Sequence, residues 1–226
     1  MIDSLKFDSK SPFTPSFNIP IYRQFLDADV TSKLADLVIQ EERGILDSTK
    51  PSSKPGMENP LYHDDWLTNR NWDYNLLDFS DKHPVLDDLR KWIKEQYHSY
   101  VDSLGLPRET VYIQCWANII RNDGRQIIKH HHADAHAWAP QDHAYCSGNI
   151  CIQAKNTHTH YQNPVLPKLW ISIKNEPSEL VMFPSWMVHW TDKNESFKPR
   201  ISIAFDLITE EVYNMIKGEN KTYRLL

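Results

Sequence analysis

The stretch Arg200-Ile-Ser-Ile-Ala-Phe-Asp-Leu207 alternates between large apolar residues and small or polar ones. Successive side chains of a β-strand point to opposite faces, so the apolar residues at positions 201, 203, 205 and 207 share one face. That face is predicted to pack against a second layer of structure. The other face presents Arg200 and Ser202 as neighbours, with Ala204 and Asp206 beyond them. Such a polar face predicts that the strand lines a cavity.

The same period of two begins near residue 110. Val111–Ile120 is predicted to be a strand, and Asn122-Asp-Gly124 after it is typical of a turn. Further short strands are predicted at 149–153, 169–173, 180–183 and 200–207. The region from 110 onward is therefore predicted to be mostly β-sheet.

Two helices are predicted ahead of these strands. The first is capped by Asp27 or Asp29 and ends near Gly44, and the second has Pro84 in its first turn and ends at Gly105. The apolar residues of both recur every three or four positions, which is the helical period. The remaining segments are predicted to be an extended or edge strand at 1–25, a loop at 47–60, an irregular segment with at most one short strand at 66–79, and a helix at 210–217.

Helices followed by several short strands favour an α+β fold, in which the N-terminal helices pack on one sheet of a sandwich or jelly roll. A chain of 226 residues can form such a fold as one domain. We predict a single domain, 1–226. Its parts are a helical and irregular N-terminal part at 1–109, a jelly-roll core at 110–208 and a C-terminal helical part at 209–226.

Composition limits the partners. The net charge is −5 and the sequence pI is about 6.1, whereas a nucleic-acid-binding domain is usually basic, so nucleic acid is disfavoured.

The three cysteines, Cys115, Cys146 and Cys151, show no paired spacing, which favours buried, reduced thiols. We find no apolar run of membrane length and no secretory leader, and therefore predict a cytoplasmic protein without a membrane segment.

Histidine is concentrated in one region, because seven of the 11 histidines lie between residues 130 and 160. Among them His132-Ala-Asp134 forms a His-x-Asp pair, and His189 follows in Phe183-Pro-Ser-Trp-Met-Val-His189. Two imidazoles and one carboxylate on one face of a metal form the facial triad of non-heme Fe(II) oxygenases. We predict His132, Asp134 and His189 as ligands of Fe(II).

Such a metal keeps open positions that bind a bidentate 2-oxo acid and then O2. The distal carboxylate of 2-oxoglutarate requires a cation and a hydroxyl group, and Arg200 and Ser202 offer both from one strand face. Asn118, on the predicted strand beside Trp116, is a third candidate contact. Its alternative interpretation is a buried amide satisfied by the backbone.

These motifs resemble the signature of the Fe(II)/2-oxoglutarate-dependent oxygenase superfamily. Four flanking segments are similar to those of a group of small stand-alone oxygenases common in phage genomes: Trp116-Ala-Asn-Ile119, Ser147-Gly-Asn149, 180–189 and 200–205. The resemblance covers about residues 110–208. It implies a double-stranded β-helix (jelly roll), Fe(II), 2-oxoglutarate as co-substrate and hydroxylation, but no particular substrate.

The chain departs from that group in its first ligand segment, which there often reads His-x-His and is closely followed by Ser-Gly. Here His130-His-His132-Ala-Asp134 is crowded, and the distance to Ser147 is longer. The ligand pair is therefore either His132 with Asp134 or His130 with His132. His132 belongs to both.

Three functions are compatible with the sequence. The first is an Fe(II)- and 2-oxoglutarate-dependent dioxygenase that hydroxylates a protein or peptide side chain or an amino acid, releasing succinate and CO2. It would act in the cytoplasm, or in the host cytoplasm if it is phage-encoded. The second is a cupin-like metal-binding jelly roll with non-oxygenase chemistry, which does not need Arg200 and Ser202. The third is a structural β-sandwich with incidental histidines.

Overall fold

The computed structural model describes residues 1–48, 75–122, 126–133, 144–218 and 222–226, with side chains in the first helix up to Arg43. The helices are α1 (Ala28–Ser48), α2 (Val85–Ser103) and α3 (Glu210–Ile216), with a 3-10 helix at Leu76–Phe79. The strands are β1 (Ile2–Phe7), β2 (Phe17–Phe25), β3 (Val111–Ile120), β4 (Cys146–Gln153), β5 (His158–Gln162), β6 (Trp170–Lys174), β7 (Glu179–Pro184), β8 (His189–Thr191), β9 (Arg200–Thr209) and β10 (Arg224–Leu225).

These strands form two antiparallel sheets. The larger sheet has seven strands in the order β1-β2-β7-β4-β9-β3-β10, and the smaller has three in the order β6-β5-β8. Strand β9 lies between β3 and β4, so both of its edges are hydrogen-bonded within the sheet. Its side chains are therefore held by a backbone that is fixed on both sides.

One face of the larger sheet is covered by α1 and α2. Leu34 of α1 and Ile93 of α2 belong to the same buried cluster as Ile203 and Phe205 of β9, and all four are fully buried. The apolar face that the alternation in 200–207 predicted is thus the one that packs against the helices. Burying each such side chain contributes about 1.5–3 kcal/mol.

The opposite face of the larger sheet meets the smaller sheet. Val181 and Phe183 of β7 form a second buried cluster with Tyr161 of β5, and Ile171 and Ile173 of β6 pack against it. The polar residues of β9 lie on this inner side of the sheet, away from the helices. Arg200, Ser202 and Asp206 are 1%, 0% and 0% exposed.

Strands β4 and β9 approach each other closely at Gly148. This residue is paired with Phe205, and a Cβ atom added at Gly148 would overlap the Phe205 ring. A glycine is therefore required here by space rather than by backbone conformation.

Several elements differ from the expectations. Residues 158–162 form β5, with Thr159 and Tyr161 buried, and this strand is not among the predicted ones. The polar composition hides this strand. Strands β8 and β10 were also not predicted, and α1 continues past Gly44 to Ser48. In the segment predicted as irregular, residues 76–79 form a 3-10 helix, whose first turn is capped by the side chain of Asn75.

The remaining predictions on the organisation of the chain are not tested. The predicted loop at 47–60 and the segment 66–74 fall, from residue 49 onward, outside the described residues. The division into 1–109, 110–208 and 209–226 stays a prediction. None of the described helices has both the length and the apolar character that a membrane crossing requires.

Candidate metal and co-substrate site

Three histidine side chains meet where the segment 126–133 runs beside the start of β8. A ligand nitrogen of each of His130, His132 and His189 lies within 4.8 Å of the other two. The backbones of His130 and His189 exchange hydrogen bonds of 3.1 and 2.9 Å, and the amide of His132 donates to the carbonyl of Ser185 at 2.9 Å. Main-chain pairing therefore holds the three rings together.

The hydrogen bonds of two of these rings determine which nitrogen can bind a metal. Nδ1 of His130 lies 2.8 Å from the carbonyl oxygen of Ile128, and Nδ1 of His189 lies 2.9 Å from that of Met187. A carbonyl oxygen only accepts, so each Nδ1 carries the proton and donates. The lone pair is then on Nε2, which is left as the ligand atom.

The electrostatics of His189 favour the same role. Burial and the neighbouring His130 and His132 hold the pKa of His189 well below its ordinary value. The ring is therefore neutral at physiological pH, and a neutral imidazole is the form that binds a metal ion.

The third ring, His132, faces a carboxylate instead of a carbonyl. Its Nδ1 lies 3.1 Å from Oδ2 of Asp206, at contact distance but outside hydrogen-bond alignment. Oδ1 of Asp206 accepts a hydrogen bond of 2.6 Å from the hydroxyl of Ser147, which also lies 2.9 Å from the hydroxyl of Ser185. The sequence placed Asp206 on the polar face of β9 but assigned it no role.

A second polar group lies at the beginning of β9. Nη1 of Arg200 donates to the hydroxyl of Ser202 at 3.4 Å, and Nδ2 of Asn118 donates to the same oxygen at 3.3 Å. Nε and Nη2 of Arg200 are buried and have no hydrogen-bond partner among the described residues. Burial lowers the pKa of Arg200. Buried N–H donors without acceptors are costly, and two donors of one guanidinium match the two oxygens of a carboxylate.

Tyr161 connects the two groups. Its ring centroid is 6.2 Å from that of His189, and Tyr161 and Arg200 each affect the pKa of the other through electrostatics. Burial raises the pKa of Tyr161, which keeps the phenol neutral. The imidazoles and the guanidinium therefore lie near one buried side chain. The signal that could have placed it is the inward alternation of Thr159, Tyr161 and Asn163.

The predicted site residues are found in these two groups, with one exception. His132 and His189 lie in the histidine group, and Arg200, Ser202 and Asn118 lie in the guanidinium group. Asp134 lies outside the described residues, as do His136 and His143. The ligand set His132, Asp134 and His189 therefore stays a prediction, while the described side chains supply the alternative pair of His130 with His132.

Two other histidines, His158 and His160, are not part of the group of converging ligand atoms. His158 and His160 alternate outward on β5 and share Asp192, at 2.9 and 2.7 Å. All three cysteines are buried and free.

Comparison with known proteins shows what the β-rich part of the chain is similar to. Residues 114–206, less than half of the chain, match the family model described as "Putative 2OG-Fe(II) oxygenase". No curated protein matches the chain. The segment that carries the three histidines, Asn118, Arg200 and Ser202 is thus similar to the 2OG-Fe(II) oxygenase family. An origin in a phage genome stays a prediction.

Several solved structures share the fold of this chain. A prolyl-4-hydroxylase of Pseudomonas putida is 12% identical, with a TM-score of 0.55 over 84% of this chain and 92% of that one. AviO1 of Streptomyces viridochromogenes Tue57 is 13% identical, with a TM-score of 0.56 over 84% and 90%. The α-ketoglutarate-dependent epimerase SnoN from nogalamycin biosynthesis is 11% identical, with a TM-score of 0.51 over 84% and 77%. The predicted α+β jelly roll is therefore confirmed.

The superfamily uses Fe(II), 2-oxoglutarate and O2, and the residues described here fit these groups. Three imidazoles with converging ligand nitrogens suit a divalent transition metal. The unsatisfied donors of Arg200, beside the hydroxyl of Ser202, suit the distal carboxylate of the oxo acid. The prediction of these cofactors is confirmed by the family and agrees with the site.

Proposed function

We propose that this enzyme hydroxylates a side chain of a protein or peptide, or a free amino acid, and converts 2-oxoglutarate to succinate and CO2. One oxygen atom of O2 enters the substrate as a hydroxyl group, and the other enters succinate. The observation that carries the proposal is the buried Arg200, whose Nε and Nη2 have no acceptor among the described residues. A metal-binding jelly roll without an oxo-acid co-substrate has no need for such a cation.

We assign the metal to His130, His132 and His189, since these are the described side chains whose ligand atoms converge. When bound there, Fe(II) supplies the oxidising chemistry by activating O2 with the oxo acid. The main-chain bonds around His130, His132 and His189 hold the rings at fixed positions before the metal arrives. Such preorganisation lowers the cost of binding.

Arg200 and Ser202 orient the co-substrate. Both lie on the inner side of the larger sheet, at one end of β9, and both are buried. A two-pronged hydrogen bond from a guanidinium fixes direction as well as position, so it would orient the oxo-acid end towards the histidines. The buried apolar cluster that includes Tyr161, Phe183 and Met187 excludes water from this side of the site.

The proposed partner is a small molecule, a peptide or a protein. The net charge of −5 disfavours nucleic acid, whose binding depends on basic residues that neutralise phosphates. A prolyl-4-hydroxylase shares the fold, so we take proline-containing peptides and free amino acids as the first substrates to test.

The first experiment tests co-substrate binding and turnover. Protein freed of metal with EDTA is mixed with Fe(II) in the absence of oxygen and titrated with 2-oxoglutarate. A weak visible charge-transfer band is expected only when the protein, Fe(II) and 2-oxoglutarate are all present. Oxygen and candidate substrates are then added, and succinate is measured together with the gain of one oxygen atom by mass spectrometry. Metal binding without any Fe(II)-dependent binding of 2-oxoglutarate would contradict the proposal and favour the cupin-like alternative.

A second experiment decides between the two ligand sets. We expect His130→Ala to weaken Mn(II) binding by two orders of magnitude or more, and Asp134→Asn to change it much less. His132→Ala and His189→Ala should abolish binding in either case. Affinity is measured by calorimetry or by Mn(II) electron paramagnetic resonance. Loss of binding in Asp134→Asn with retention in His130→Ala would restore Asp134 as the third ligand.

A further inference from the structure

We propose that Asp206 is a positioning residue, which orients His132 for metal binding and supplies the negative charge that a set of three imidazoles lacks. This inference rests on the proposed metal site. It extends that site by one residue, to a carboxylate that touches a ligand but is not among the converging ligand atoms.

The contacts of Asp206 point to this role. Its side chain is fully buried, with Oδ2 3.1 Å from Nδ1 of His132 and Oδ1 bound by the hydroxyl of Ser147 at 2.6 Å. A buried carboxylate is costly unless cations or hydrogen bonds compensate for the loss of water. A metal ion bound through His132 would place a positive charge one ring away from it.

The backbone of Asp206 is fixed. Within the larger sheet, Asp206 is paired with Gln114 of β3 on one side and with Ser147 of β4 on the other. Ser147 is therefore both its sheet neighbour and the donor to its carboxylate. The backbone of Asp206 therefore cannot move away from His132 without breaking the centre of the sheet, and the hydrogen bond from Ser147 holds the carboxylate.

The three imidazoles are not equivalent. His130 and His189 face neutral backbone carbonyls, whereas His132 faces a carboxylate. An anionic partner at Nδ1 makes the imidazole a stronger donor at Nε2 and fixes the orientation of the ring. Three neutral imidazoles bring no charge to a divalent cation, so Asp206 would take over the charge balance. If Asp134 replaced His130, His132 would still be a ligand, and the orienting role of Asp206 would remain.

The chain offers a matched control in Asp192. This carboxylate also contacts histidines, His158 and His160, at 2.9 and 2.7 Å. It lies on the outer face of the smaller sheet, and its side chain is 35% exposed. Asp192→Asn therefore removes a carboxylate–histidine contact without touching the metal site.

The experiment titrates Co(II) alone into metal-free wild-type protein and the variants Asp206→Asn, Ser147→Ala, Asp192→Asn and His132→Ala. We expect Asp206→Asn to weaken Co(II) binding about 10- to 100-fold. Its visible absorption bands should move to lower energy, because His132 becomes a weaker donor. Ser147→Ala should cause a smaller change in the same direction, and Asp192→Asn should leave affinity and spectrum unchanged. Circular dichroism of the metal-free proteins shows which variants fold.

Wild-type affinity and an unshifted spectrum in a folded Asp206→Asn protein would overturn the inference, even if its melting temperature fell. If Asp206→Asn does not fold, Ser147→Ala decides, and an unchanged affinity and spectrum there would overturn the inference. Failure of the proposed metal site looks different. In that case Co(II) would not bind the wild-type protein, or it would bind His132→Ala as tightly as it binds wild type.

Discussion

In the proposed site, Arg200 is the residue on which binding of the oxo acid would depend most directly. It is 1% exposed, two of its donor nitrogens lack acceptors among the described residues, and its hydrogen-bonded neighbour is Ser202. An arginine that only stabilised the fold would have its donors satisfied by the protein. Its arrangement is that of a side chain prepared for a ligand.

Replacement of Arg200 separates binding of the co-substrate from binding of the metal. One charge-assisted hydrogen bond contributes about 1.5–3 kcal/mol, so Arg200→Ala, which removes at least one, should raise the Kd for 2-oxoglutarate by at least roughly 10- to 150-fold. Mn(II) affinity should not change. Arg200→Lys keeps the positive charge but loses the two-pronged guanidinium, so its Kd for 2-oxoglutarate should lie between those of wild type and Arg200→Ala. Calorimetric titration of the Mn(II)-loaded proteins measures this, with Arg108→Ala as the control, since Arg108 is exposed and paired with Asp102. Equal oxo-acid affinity in wild type and Arg200→Ala would contradict the assignment.

The residues of the site were predictable to different degrees. Arg200 and Ser202 could be placed together because they are two positions apart on one strand, where the period of two fixes the face. The contact of His132 with Asp206 could not, because it depends on how the segment 126–133 crosses the sheet. No local pattern encodes that crossing.

At the scale of elements, the central strands were the easiest to predict. Strand β9 packs its apolar face against the helices, as its alternation indicates. Strand β5 was missed because its inward residues include threonine, and its outward residues include two histidines, so burial does not follow polarity along it. Helix α2 was predicted close to its observed bounds, since its apolar residues keep the helical period over its length.

The close approach of β4 and β9 predicts a stability effect. A methyl group at Gly148 would overlap the ring of Phe205, so Gly148→Ala should destabilise the fold by about 1–3 kcal/mol. Urea denaturation followed by circular dichroism measures the loss. Gly218→Ala is the matched control, because an added Cβ there meets no atom within 4 Å, and it should leave the free energy of unfolding unchanged or slightly raised. Equal stability of Gly148→Ala and wild type would show that the two strands separate easily.

At the scale of the whole molecule, the larger sheet separates two environments. Its outer face carries the helices and the larger apolar cluster, and its inner side carries the polar residues of β9 and faces the smaller sheet. The general α+β arrangement followed from the order of patterns along the chain. The strand order did not, because β1 and β2 pair next to β7, far away in sequence.

The proposed metal and co-substrate bind only the folded protein, so they should stabilise it in two steps. Mn(II) at 100 times its Kd should add about 2.7 kcal/mol, or roughly 5–10 °C in Tm for a chain of this size. 2-Oxoglutarate should add a further increment only when Mn(II) is present. Thermal unfolding with and without EDTA tests this, and Arg200→Ala should keep the first increment and lose the second. A Tm insensitive to Mn(II) would instead favour a structural β-sandwich.

The backbone bonds between His130 and His189 have a consequence for motion. Through them the segment 126–133 is attached to β8 of the smaller sheet, while His132 reaches Asp206 in the larger one. A metal ion held by these histidines would cross-link the segment 126–133 to β8 and so limit the relative motion of the two sheets. Amide hydrogens at residues 130 and 189 should then exchange with deuterium markedly more slowly once the cation is bound, whereas the exchange rates of those in α2 should not change.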